Sequence, residues 1–88
     1  MTVDLIKSLL TEALQPERFE ITDNSAAHAG HAGAQRGGGN YSIKIVAEAF
    51  EGKSLVQRHQ LIYKTLGDLM KQEIHALSID ALSPSEFN

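Results

Sequence analysis

Between Ser54 and Met70 the sequence permits little other than an amphipathic helix, and that helix constrains what surrounds it. Gln57 follows Ser54 by three residues, the spacing at which a hydroxyl and a side-chain amide satisfy two backbone donors left unpaired at a helix start. The helix therefore begins at Leu55. Leu55, His59, Ile62, Leu66, Leu69 and Met70 then recur at three- and four-residue spacing and define an apolar face, while Gln57, Lys64, Asp68 and Lys71 define a solvated one. Gly67 interrupts the pattern. Glycine inside a helix costs roughly 1 kcal/mol against alanine, so a bend or a close approach to the backbone is expected there.

A helix with one apolar face needs a surface to cover, and three alternating segments supply it. Phe19 and Ile21 alternate with Glu20 and Thr22; Tyr41, Ile43, Ile45 and Ala47 alternate with Ser42, Lys44 and Glu48. Leu77 and Ile79 alternate with Ser78 and Asp80 in a third strand that opens on His75. Ahead of these, Thr2 caps a first helix whose stripe is Val3, Ile6, Leu9, Leu10, Ala13 and Leu14, with Asp4 in the first turn and Pro16 as its stop. Phe50 to Lys53 turn into the main helix, and Ser83-Pro84-Ser85-Glu86 reads as a brief closing turn. The order α-β-β-α-β implies an α/β fold of one small domain over residues 1–88. Its sheet is mixed and three-stranded, the first two strands antiparallel and the third parallel to a neighbour, with both helices on one face. Between the first two strands, residues 24–39 are rich in Gly and Ala, hold two of the four histidines and lack periodicity. A flexible loop is expected, of a length usually functional or disordered.

At 42% hydrophobic and 22% charged residues, the composition is that of a globular chain. The absence of cysteine excludes disulfides, thiol redox catalysis and any thiolate metal site built by this chain alone, leaving histidine and carboxylate as strong ligands. No apolar run approaches the roughly 20 residues of a membrane span, and the first residues carry neither a signal-peptide nor a transit-peptide pattern, so a soluble, cytoplasmic protein is expected. A net charge of −3 and a pI near 5.7 argue against a broad nucleic-acid surface, which would need clustered Lys and Arg.

The four histidines differ in what surrounds them. His59 falls on the apolar stripe and reads as a structural core residue with one ring nitrogen hydrogen-bonded; Arg58 beside it reads as more exposed, either a solvated charge or a partner contact. His75 shares strand parity with Leu77 and Ile79 on the covered face, although a strand's first residue often lies where solvent or a partner can reach. His28 and His31, in H-A-G-H, belong either to a polar linker or, if the loop turns, to one shared ion. Two ligands fall short of the four of a structural zinc site, and adding His75 still leaves an all-nitrogen, incomplete set. Any metal would then be catalytic or shared with a second molecule. No nucleophile elbow, P-loop or H-E-x-x-H is present, and Gly37 to Gly39 precede a strand and not a helix N-terminus, so an enzyme is not expected.

The segments F-E-G-K-S-L-V-Q-R-H-Q-L-I-Y and I-H-A-L-S-I-D-A-L-S-P-S-E, with the loop H-A-G-H-A-G, resemble the BolA family over nearly the whole chain. The resemblance implies a class II KH-like α/β domain that pairs with a monothiol glutaredoxin and shares a [2Fe-2S] cluster with it, in iron-sulfur trafficking or iron and redox regulation. The histidine-type branch implies as ligands His75, from I-H-A-L, and His31, by its G-H-A context, with His28 the alternative. Cysteine and glutathione from the partner would complete a cluster that is Rieske-like in ligand type. The family's frequent T-H-F at the second strand is N-Y-S here, Asn40 to Ser42, so a histidine there has no counterpart. Arg58 and Lys53 are the candidate partner contacts. The alternative implied by the resemblance is a nucleic-acid-binding transcriptional regulator using Arg58, Lys53 and Lys64, which the acidic balance and lack of a G-X-X-G loop weaken.

Overall fold

The computed structural model describes residues 2–24 and 39–87. The expected loop falls almost wholly on residues 25–38, which lie outside the described residues, as do His28 and His31. Helix α1 spans Thr2–Leu14 and buries Ile6 and Leu10 completely, with Val3 and Leu14 packed beside them. It stops before Pro16 with Gln15 at φ 47° and its N–H bonded to the Thr11 carbonyl.

Strand β1, Arg18–Asp23, runs antiparallel to β2, Gly39–Val46, placing Phe19 opposite Ile45 and Ile21 opposite Ile43. Strand β3, Ile74–Leu82, pairs parallel to β2, which gives the sheet order β1-β2-β3. The alternating residues Tyr41, Ile43, Ile45 and Ala81 meet Ile6, Leu10, Ile62 and Leu66 in one core, so α1 and α2 cover a single sheet face. A 3-10 turn at Glu48–Phe50 drops Phe50, fully buried, into that core. The expected order and strand directions are all present. Beyond them, a last turn α4, Pro84–Phe87, brings the Phe87 ring under two cations, with the Arg18 guanidinium carbon 4.8 Å and the Lys44 ammonium 5.6 Å from its centroid.

Helix α2, Leu55–Leu66, starts as its capping box requires: Gln57 N–H donates to Ser54 Oγ at 3.2 Å and Ser54 N–H to Gln57 Oε1 at 2.9 Å. It ends at Gly67, whose φ of 55° and ψ of −124° lie where a side chain is strained, while only the Lys64 carbonyl would touch an added Cβ. Gly67 is there for its backbone angles, and a separate turn, α3 at Leu69–Gln72, follows. The buried row of α2 differs from the expected stripe. It is Arg58, Ile62 and Leu66, whereas Leu55 is 64% exposed and His59 only half-buried. Leu55 sits in the first turn, beyond the sheet, and an arginine with a long apolar stem takes the inward position that a polarity-based stripe assigns to its neighbour.

At the other end of β2, Gly39 is buried opposite Ile74, with the Tyr41 ring folded over it. An added Cβ would overlap the end of that ring. Because Tyr41 is itself part of the core, Gly39→Ala should force it aside and lower the unfolding free energy by about 1–3 kcal/mol, measurable by urea denaturation. An unchanged midpoint would mean that the ring moves freely.

Candidate functional site

His75 owes its position to an irregularity in the ladder. Gly39 faces Ile74, yet the next residue of β2, Asn40, faces Ala76, so His75 is the extra residue of a bulge. The bulge changes side-chain parity at that point: Ile74 is buried, His75 is exposed, and Leu77 and Ile79 return to the covered face. The strand parity that groups His75 with Leu77 and Ile79 is thus corrected by one inserted residue. Exposed and at the start of an edge strand, the imidazole is accessible to a second molecule.

The same end of the sheet holds both roots of the segment that carries His28 and His31. Asn24 N–H donates to the Asn40 carbonyl at 2.7 Å and its side-chain amide to Ser42 Oγ at 2.6 Å. Gly39 N–H donates to the Glu73 carbonyl at 3.0 Å, two residues before His75. The segment that carries His28 and His31 therefore leaves and re-enters the described structure at the sheet end that presents His75. Among the described residues no three histidines or carboxylates converge as a metal site, so His75 is at most part of one.

Arg58 and Lys53 part company. The Arg58 guanidinium, expected on the exposed side and available to a partner, belongs to a residue only 6% exposed and is hydrogen-bonded within the fold. Its Nε donates to the Lys53 carbonyl at 2.9 Å, and Nη1 donates to the Ala81 carbonyl at 3.1 Å and to Glu86 Oε1. Burying a charge is costly unless it is paired and hydrogen-bonded, and here it is both. The Lys53 side chain is exposed. Glu86 also receives the Ser83 N–H at 2.8 Å and the Ser83 hydroxyl at 3.0 Å, while Ser85 donates its hydroxyl to Glu51 at 3.0 Å. Sequence reasoning missed this cluster although its signal was present: Ser83 and Glu86 have the same three-residue capping-box spacing as Ser54 and Gln57, with proline at the first helical position.

These contacts, first the Arg58 hydrogen bond and then those from the Ser83 backbone and hydroxyl, hold the Glu86 carboxyl down from 4.5 to about 2. The unfolded chain therefore takes up a proton at Glu86 more readily than the folded one. Stability from this group is present above pH 4.5 and lost as pH falls toward about 2. Wild-type melting temperature should drop more steeply through that window than that of Glu86→Gln. Parallel curves would show that Glu86 is not the group responsible.

The sequence model of the BolA-like protein family matches residues 10–86. The chain is 44% identical over 86 residues to "SufE-like protein 1, chloroplastic/mitochondrial" of Arabidopsis thaliana, covering 92% of this chain and 23% of that protein. It is 34% identical over 82 residues to BolA-like protein 1 of Mus musculus, covering 93% of this chain and 58% of the relative. The chain thus spans less than two thirds of the length of these relatives. Among solved structures, the BolA domain of SufE1 from Arabidopsis thaliana superposes with a TM-score of 0.80 at 44% identity, covering 92% of this chain and 90% of that one. BolA1 from Arabidopsis thaliana superposes with a TM-score of 0.83 at 34% identity, covering 98% and 95%. Sequence and fold agree over nearly the same residues, and the chain belongs to the BolA-like family.

Proposed function

We propose that this chain is a partner protein, not an enzyme, which shares a [2Fe-2S] cluster with a monothiol glutaredoxin, in iron-sulfur trafficking or iron and redox regulation. The observation that carries the reading is the outward turn of His75 at the bulge, beside the two roots of the histidine-bearing loop. His75 is one ligand. His31 is the second, with His28 the alternative; they lie seven and four residues from the root at Asn24. The donor set fits such a group in kind, since His75 and one of His31 and His28 offer imidazole nitrogens and thiolate ligands would come from the partner. Bound there, the cluster would supply electron-transfer or iron-sulfur cargo chemistry; this chain would contribute imidazole ligands and a sheet end that positions one of them.

Nothing in the geometry favours the nucleic-acid alternative, and of its three cations Arg58 is buried. Among the described residues no helix is long and apolar enough to cross a membrane. Relatives named as chloroplastic or mitochondrial mean that family membership does not carry the cytoplasmic expectation with it. The test is to add cluster-loaded monothiol glutaredoxin to the chain and record visible circular dichroism. A heterodimer with an altered spectrum is expected; a spectrum unchanged by saturating chain would sink the reading.

A further inference from the structure

Charge is distributed unevenly along this chain. Residues 53–72 carry four basic side chains, Lys53, Arg58, Lys64 and Lys71, against one acidic, Asp68, whereas the remainder carries four basic and ten acidic. Arg58 is neutralised by Glu86, but Lys53, Lys64 and Lys71 are exposed. The same stretch holds the two most exposed large apolar side chains among the described residues, Val56 at 65% and Leu55 at 64%, with Tyr63 at 40%.

These side chains are outside the core, since α2 faces the sheet through Arg58, Ile62 and Leu66. Val56, His59 and Tyr63 follow at three- and four-residue spacing along one flank of α2, and the His59 ring stands edge-on to Tyr63 with centroids 6.4 Å apart. The flank runs into an open groove at the α2–α3 break, lined by Tyr63, Lys64, Gly67, Asp68, Met70 and Lys71. Lys64 and Lys71 outnumber Asp68 on its lining, and apolar side chains left uncovered beside a net positive rim mark a protein interaction surface.

We propose that this flank and groove dock an acidic segment of a protein partner, an apolar side chain seated beside Tyr63 and Met70 and its flanking carboxylates met by Lys64 and Lys71. The charge excess selects an acidic occupant. The apolar flank selects protein over nucleic acid, because phosphates would engage the lysines and leave Val56 and Tyr63 without a role. The inference rests on the preceding section for the identity of the partner, and His75 follows Lys71 by four residues, so a protein seated in the groove lies beside the strand that presents it.

The probe is cluster-free monothiol glutaredoxin titrated into isotope-labelled chain, with amide shifts read by NMR. Shifts are expected at Val56, Tyr63, Gly67 and Met70. Lys64→Glu with Lys71→Glu, and separately Val56→Glu, should each weaken binding about tenfold or more, the charge reversal most at low salt. Val56→Ala, which adds no charge, should weaken it less, and melting curves confirm that each variant is folded. Binding unchanged in these variants overturns the docking surface while the shared-cluster reading stands. Docking without a spectral response to loaded glutaredoxin overturns the cluster reading alone, and no binding of the wild-type chain in either form overturns both. Shifts at these residues with a DNA duplex, insensitive to Val56→Glu, or self-association lost in the variants, would replace the proposed occupant by nucleic acid or by a second copy.

Discussion

Arg58→Ala should lower the unfolding free energy by about 2–4 kcal/mol. The substitution removes three donated hydrogen bonds at once, to the Lys53 carbonyl, the Ala81 carbonyl and the Glu86 carboxylate. The Ala81 bond is buried, and an acceptor left there without a partner costs more than the bond itself contributes. The packed side-chain stem is also lost from the inward row of α2. Arg58→Lys keeps the charge but not the fork that reaches acceptors on three segments, and should recover only part of the loss. His59→Ala should cost less than about 1 kcal/mol, since its half-buried ring meets Tyr63 on the exposed side of the helix. Urea denaturation of the two alanine variants decides the matter: if His59→Ala is the more damaging, the inward row of α2 has been misassigned.

His75→Ala should abolish the altered visible spectrum of the glutaredoxin heterodimer while changing stability by no more than about 0.5 kcal/mol. The two halves of this expectation have one cause. A side chain exposed at a bulge packs against nothing that the fold depends on, and is for that reason open to a second molecule. His31→Ala should weaken or change the spectrum more than His28→Ala. A spectrum identical between wild type and the His75→Ala, His31→Ala double variant would show that these imidazoles are not ligands and leave a module that merely docks. A large fall in the melting temperature of His75→Ala alone would count against the outward placement.

Local periodicity and cap chemistry made the elements legible. Alternation at Phe19, Ile21, Ile43 and Ile45 and the box at Ser54 and Gln57 depend only on residues near in sequence, and the strands and helix stand there. What escaped depends on residues far apart. The burial of Arg58 is explained by Ala81 and Glu86, 23 and 28 residues away, and nothing near Arg58 announces them. The orientation of His75 escaped for a related reason: a bulge is a mismatch between two strands and leaves period-two patterning intact on either side of one slipped position. His75 as the candidate came from the resemblance; its exposure came from the ladder.

The bulge also bears on how such a site can change over generations. A residue in regular pairing is held by its cross-strand neighbour, and altering one often requires altering the other. His75 has no opposite number on β2. Its chemistry is therefore free to drift, toward another ligand or none, without a compensating substitution in the sheet, so that inheritance of the fold and inheritance of the site need not travel together.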